Sequence, residues 1–254
     1  MIGGRRLCAT LSVSDASGVQ KRMEYRRLLL KISGESLAGD SKRGIDSSVV
    51  DEYASIIARL ADRGHEVGIV IGGGNFWRGR TSGEMDRVAA DRIGMLATVM
   101  NSIAMTEALT RLGCKAHLMT AVPMPTVGDP IDGIKAKRYL REGSVVVFAG
   151  GTGNPFFSTD SAAALRAAEI DADIILKATL VDGVYDKDPN IHDDAVMFKE
   201  LSFDEVLERR LGVMDATAAA LCRDYRQKVV VFNSADLENI ISVAAGEPIG
   251  TLVR

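Results

Sequence analysis

Glu66-Val67-Gly68-Ile69-Val70-Ile71-Gly72-Gly73-Gly74-Asn75 is the stretch on which the fold class turns. A short apolar run rich in β-branched residues reads as a strand, and the three glycines after it read as a tight turn. The same succession stands on either side. Upstream, Arg-Leu-Leu-Leu-Lys-Ile at 27–32 runs into Ser33-Gly34. Downstream, Val-Val-Val-Phe-Ala at 145–149 runs into Gly150-Gly151-Thr152-Gly153-Asn154. Between the first two, residues 47–63 carry Val50, Tyr53, Ile57 and Leu60 on one helical face, and Gly64 closes that helix. Strand alternating with helix predicts an α/β fold on a largely parallel sheet. The carboxyl ends of parallel strands share one edge, so three glycine-rich turns would converge on one crevice. Backbone N–H groups and helix N-termini there favour phosphate.

The rest of the chain from residue 25 continues the alternation. Residues 85–112 form a long helical region with Gly94 as a point of interruption. Met95, Val99 and Ile103 give it an apolar stripe, which reads as packing or a subunit interface because methionine fills gaps adaptably. Further strands are expected at 115–119, 174–177 and 229–232, and helices at 161–168, 202–210, 215–225 and 237–245. A single domain over 25–254 follows. Residues 1–24 read as a disordered N-terminal extension or, up to residue 22 before Met23, as a misplaced translation start.

Composition narrows the function. Of 254 residues, 46% are hydrophobic, enough for a sizeable core, and 31 basic against 34 acidic side chains leave a net charge of −3. That balance argues against wrapping of a nucleic acid polymer. Cys8, Cys114 and Cys222 are odd in number and lack metal spacing, and His65, His117 and His192 lie apart, so neither a disulfide framework nor a protein-held metal is expected. No apolar run approaches the roughly 20 residues that span a bilayer, and the serine-broken start makes a poor secretory signal. A cytoplasmic protein away from membranes is the expectation.

The common nucleotide fingerprints fail. There is no Walker A sequence; Trp77 and Phe156 stand where the dinucleotide fingerprint needs its third glycine; and the protein-kinase motifs are missing. Other motifs, in order, are Leu28-Leu29-Leu30-Lys31-Ile32-Ser33-Gly34-Glu35, Ile71-Gly72-Gly73-Gly74-Asn75, Gly94-Met95-Leu96-Ala97-Thr98-Val99-Met100-Asn101, Gly151-Thr152-Gly153-Asn154-Pro155-Phe156-Phe157 and Leu176-Lys177-Ala178-Thr179, the last continuing through Val181-Asp182-Gly183-Val184-Tyr185. From about Tyr25 to the C-terminus this set resembles the bacterial uridylate kinases of the amino acid kinase superfamily. The resemblance implies a three-layer αβα sandwich around a mostly parallel sheet, with an acceptor-binding N-terminal part and an ATP-binding C-terminal part. It implies transfer of the terminal phosphoryl of ATP, with Mg2+, onto UMP in pyrimidine nucleotide synthesis.

The residues agree with that chemistry. Lys31 and Lys177, each at or near a strand end, can neutralise charge on a transferring phosphoryl group, which asks mainly for alignment and charge stabilisation. Asp160 would hold their ammonium groups; its plain alternative is an N-cap of the following helix, and a cap is also the reading for Asp215. The resemblance assigns UMP to Gly73, Asp91, Thr152, Gly153, Asn154, Pro155, Phe156, Phe157, Ser158 and Thr159. Asp91 can accept hydrogen bonds from ribose hydroxyls, and the polar residues of 152–159 suit a uracil edge and a phosphate. It assigns ATP to Lys31, Ile32, Ser33, Gly34, Gly74, Arg78, Thr179, Tyr185 and Asp188, Tyr185 packing on adenine. Asp186-Lys187-Asp188-Pro189 alone would read as a turn.

Uridylate kinases are typically homohexamers inhibited by UTP and activated by GTP. Their GTP-responsive loop corresponds to Gly39, Asp40, Ser41, Lys42, Arg43 and Gly44, whose interior departs from the usual acidic and aromatic pattern. UTP inhibition, which can act through the acceptor site itself, is therefore the firmer implication. Two other readings use the same turns: an amino acid or carbamate kinase, against which the polar segment 152–159 counts, and a non-catalytic nucleotide-binding module, which would not need Lys31, Asp160 and Lys177 together.

Overall fold

The computed structural model describes residues 24–77 and 85–254. Nine strands, β1 (Arg27–Ile32), β2 (Glu66–Ile71), β3 (Ala116–Thr120), β4 (Asp129–Pro130), β5 (Val145–Ala149), β6 (Ile174–Thr179), β7 (Glu200–Leu201), β8 (Lys228–Asn233) and β9 (Thr251–Val253), form one sheet in the order β4-β3-β5-β2-β1-β6-β8-β9-β7. The pairings are parallel except for β8 with β9. From β1 the chain proceeds to β2 on one side, and from β6 to β8 on the other. The order thus reverses between β1 and β6, the place where open α/β sheets leave a crevice beyond their carboxyl ends.

Side chains alternate across the strands and divide the core in two. Leu28, Leu30 and Ile32 face a layer built by α1 (Ser47–Asp62), the C-terminal half of α2 (Arg87–Arg111) and α7 (Glu238–Ala244). Leu29 and Ile175 face the other layer, of α3 (Gly133–Arg141), α4 (Thr159–Glu169), α5 (Phe203–Glu208) and α6 (Ala216–Asp224). The result is the expected αβα sandwich. Helix starts follow local chemistry: Asp46 caps α1, Asp132 caps α3, and Ser202 with Glu205 makes a capping box on α5.

Several expectations change. α2 runs unbroken through Gly94. The close approach here belongs to Gly73, on which a Cβ would lie 2.9 Å from the Gly94 carbonyl oxygen and 2.8 Å from Ala97 Cβ, whereas a Cβ on Gly94 would meet only Trp77 at 4.0 Å. The apolar stripe of α2 also divides. Met95 and Val99 are buried, whereas Ile103 joins Ile93, Leu96 and Met100 on an exposed line. α2 is long and apolar enough by composition to cross a membrane, contrary to the expectation that no such stretch exists. Half of its most apolar 18-residue window is buried inside the protein, and the helix packs against α1, β3 and β5, as a core helix does. α3 goes unread in the sequence because it is short and polar overall: four of its nine residues are lysine or arginine and only Ala136 and Leu140 are buried, so no apolar run marks it, although its faces are well separated. β4, β7 and β9, of two or three residues, are too short to show any period. The expected N-terminal extension lies, apart from Glu24, outside the described residues.

The first two glycine turns pack directly on each other. A Cβ on Gly34 would sit 2.4 Å from the Gly72 carbonyl oxygen and 2.7 Å from Asn75 Oδ1. Gly34→Ala is expected to cost about 1–3 kcal/mol, typical of overpacking, read as a lower urea midpoint; an unchanged midpoint would show that the turns can move apart freely.

Candidate active site

Lys31 of β1 stands opposite Lys177 of β6 in the parallel register, at the switch point. Residues opposite one another project to the same face, here the face covered by α4. The Ser158 hydroxyl caps α4, accepting from the N–H of Asp160 (3.0 Å) and Ser161 (3.2 Å), so Asp160 falls in the first helical turn. From there one oxygen of its carboxylate lies 3.0 Å from Lys31 Nζ and the other 2.6 Å from Lys177 Nζ. The three side chains are only 11–16% exposed. Lys177 also donates to the carbonyl of Val213, in the loop before α6.

Burial by itself would raise the Asp160 pKa, but the charges of Lys31 and Lys177 outweigh it and hold the carboxyl below its ordinary value. Burial pushes the Lys177 ammonium down; Asp160 opposes that shift and Lys31 adds to it. Two ammonium groups held by Asp160, with Asp215 behind Ser158 and Ser161, give a water-poor charged patch beside the N-terminus of α4, where the lysines can meet an oxyanion that gains charge during reaction.

Asp160 is thus not the cap of α4; Ser158 is. Asp215 is a cap, accepting from Ala218 N–H at 2.9 Å at the start of α6, and the same carboxylate takes hydrogen bonds from the hydroxyls of Ser158 and Ser161. It therefore fastens the two helix starts together. Cys222, nearby, has its thiol pushed up to about 12 by burial and by Asp160 and Asp215, so it offers no nucleophile.

A cleft of about 170 Å³ opens beside this patch. It is lined by Gly73, Asp91, Thr152, Asn154, Phe157, Ser158 and Thr159 from the acceptor set, whereas Gly153, Pro155 and Phe156 lie off the lining. Trp77, Met95 and Thr98 line it as well and were not anticipated. Thr98 left a signal, being a polar residue among apolar ones in α2: its hydroxyl accepts from Gly150 N–H at 2.9 Å and anchors the turn after β5. Asp91 accepts from Arg87 Nε and from the Phe156 N–H, the latter at 2.8 Å.

Asn75 and Asn101 form a buried reciprocal amide pair. Asn101 also donates to the Gly72 carbonyl and Asn75 to that of Gly44, so the turn after β2, helix α2 and the loop 39–44 are tied together. In that loop Lys42 takes a left-handed conformation and its N–H donates to the Gly39 carbonyl, while the Ser41 hydroxyl lies within hydrogen-bonding distance of the Ala38 and Arg43 carbonyls; Asp40 is exposed.

The expected ATP residues are more dispersed. Ile32 is buried in the core and its carbonyl accepts from Gly72 N–H, while Ser33 opens a 3-10 segment, Gly34–Ser41. A Cβ on Gly74 would meet the Glu35 carboxylate at 2.9 Å. The Thr179 hydroxyl meets the carbonyls of Val181 (2.8 Å) and Phe232 (3.1 Å), and Asp188 makes the expected turn by accepting from Asn190 N–H. Tyr185 and Asp188 line a second cavity, of about 420 Å³, with residues 209–212 of the loop that leads to Val213. Arg78 lies outside the described residues.

Residues 26–233 match the model of the amino acid kinase family. A uridylate kinase from Psychrobacter cryohalolentis is 51% identical over 236 residues, 92% of this chain and 98% of the relative. The chain belongs to the amino acid kinase family, among its uridylate kinases. The solved UMP kinase from Bacillus anthracis superposes with a TM-score of 0.87 at 38% identity, over 91% of this chain and 96% of that one. That from Ureaplasma parvum does so with 0.84 at 37%, over 91% and 99%.

Asp160→Asn would leave two buried ammonium groups facing each other, at a cost of about 3 kcal/mol at neutral pH. The Asp160 pKa lies below its ordinary 3.8, so this contribution is complete above that pH and is lost as pH falls through the lower folded value. Thermal unfolding should accordingly show a gap between wild type and variant that is full at neutral pH, begins to narrow below about pH 3.8 and closes only as pH falls through the lower folded value; a gap that stays constant down to the pH at which Asp160 is fully protonated would mean that it does not come from the ion pairs.

Proposed function

We propose that this uridylate kinase chain transfers the terminal phosphoryl group of ATP to UMP, reversibly, giving ADP and UDP for pyrimidine nucleotide synthesis. The observation that carries the reading is the Lys31–Asp160–Lys177 cluster at the mouth of a cleft lined by Asp91, Thr152, Asn154 and Thr159. Lys31 and Lys177 are the catalytic cations that lower the charge on the phosphoryl group in transit, and Asp160 fixes the spacing between them. Phosphoryl transfer needs alignment and charge stabilisation more than a protein nucleophile, so the inert Cys222 is no obstacle.

UMP takes the cleft, its ribose on Asp91, its base and phosphate on 152–159 and the turn at Gly73. ATP takes the sheet edge from Lys31 to Gly34, with Gly74, Arg78 and Thr179, and lays its adenine in the cavity of Tyr185 and Asp188. The acceptor part thus precedes α4 and the ATP part follows it. Magnesium would neutralise the ATP phosphates and would be carried in on them, since Asp160 is ion-paired with both lysines and the oxygens of Asp215 accept from Ser158, Ser161 and α6.

UTP inhibits by competing in the acceptor cleft. GTP would act through residues 39–44, which Asn75 links to the Gly72–Gly74 turn. A homohexamer is supported by the exposed line of Ile93, Leu96, Met100 and Ile103 on α2, each 37–47% exposed. Free Cys114 and Cys222 suit the cytoplasm, where both substrates are found.

The deciding experiment is coupled ADP release with ATP-Mg and a panel of UMP, CMP, dUMP, AMP, glutamate, aspartate and carbamate. Activity confined to UMP is expected, and turnover of an acid would move the chain elsewhere in the superfamily. Lys31→Ala should lower kcat by roughly a hundredfold or more, the scale of one transition-state electrostatic contact, with small changes in KM; full activity would remove Lys31 from the mechanism. Asp91→Ala should raise the UMP KM far more than the ATP KM, and the reverse would mean the two sites are exchanged.

A further inference from the structure

Arg87 is the first residue of α2, directly after the capping Asp86, with no acidic side chain in that first turn. Helix stability does not account for a cation there. The N-terminus is the positive end of the helix dipole, and an i,i+4 pair with the base ahead of the acid is the weaker orientation. Its Nε nevertheless donates to both oxygens of Asp91, at 2.9 and 2.8 Å, and Asp91 is only 12% exposed where Arg87 is 43%. The Phe156 N–H donates to the same carboxylate, at 2.8 Å to Oδ2. Phe156 holds φ at +73°, a left-handed conformation that a phenylalanine adopts at a cost, and its ring lies 5.8 Å from the Arg87 guanidinium.

A carboxylate offers about four lone-pair positions. Among the described residues, the single Arg87 Nε–H is shared between the two oxygens and the Phe156 N–H adds to Oδ2, which keeps acceptor capacity on Oδ1. We infer that Arg87 is a positioning residue for the acceptor nucleotide: with the Phe156 amide it orients Asp91 so that Oδ1 keeps acceptor capacity for a ribose hydroxyl, and it clasps the loop 150–157 to α2. The inference rests on reading the cleft as the UMP site.

The test uses Arg87→Gln and Arg87→Lys in the full chain. In Arg87→Gln the UMP KM should rise roughly tenfold, the scale of one charge-assisted hydrogen bond, with kcat and the ATP KM within about twofold; Arg87→Lys, which keeps a charge and a donor, should recover most of the loss. A general loosening of the fold would instead move kcat and both KM values together. Without any nucleotide, hydrogen exchange at the Phe156 amide should be faster in Arg87→Gln than in the unaltered protein. An unchanged UMP KM in Arg87→Gln overturns the inference, whether or not the amide exchanges faster. If the unaltered protein fails to turn over UMP, the functional reading fails instead, and the exchange measurement still decides whether Arg87 holds the Phe156 amide.

Discussion

Asp160 sits between Lys31 and Lys177, and most of the site depends on how that carboxylate is held. Two ammonium groups brought side by side in a water-poor pocket repel each other, and a single buried carboxylate offsets that repulsion only if both oxygens are aimed. The aim comes from elsewhere. Ser158 sets the start of α4, and Asp215 at the start of α6 grips Ser158 and Ser161. Val213, on the loop into α6, receives the remaining reach of Lys177. Strand register supplies the lysine spacing, and two helix starts supply the counter-charge.

The glycine turns form a second framework beside the first. Gly34 and Gly72 touch backbone to backbone, and Gly73 lies against the α2 backbone at Gly94, so side chains at 34, 72 and 73 are excluded for reasons of packing as well as for ligand approach. The buried Asn75–Asn101 pair locks this layer by satisfying the carbonyls of Gly44 and Gly72. Such a network is rigid because leaving any member unpaired in the interior is costly. The turn after β2 packs on α2 through Gly73, and the turn after β5 is anchored to it by Thr98, where the helix runs uninterrupted through Gly94.

Particular residues show how far the chain could be read beforehand. β1, β2 and β5 appear with the expected bounds, because short apolar runs punctuated by glycine have few other solutions. α3 is missed because it is short and rich in lysine and arginine, with no apolar run to mark it, and β7 and β9 because two or three residues make no period. In the site, Lys31 and Lys177 were visible as strand-end cations, but Ser158 as a cap, Thr98 as an anchor and Arg87 as the partner of Asp91 were not. Those roles are relations between residues of different elements, or depend on which way a helix faces.

What the sequence determined by itself is the alternation of strand and helix, the three glycine turns and the residue types gathered near them. These are local matters of backbone sterics and hydrophobic period, legible within a window of ten or twenty residues. Only the tertiary structure decided that Lys31 would face Lys177, that one carboxylate would serve both, and that Asp91 would be shared between Arg87 and Phe156. The partners are 146 residues apart for the two lysines and 65 for Asp91 and Phe156. The free energy that holds them together belongs to the packed sheet and its two helical layers, and to no single stretch of the chain.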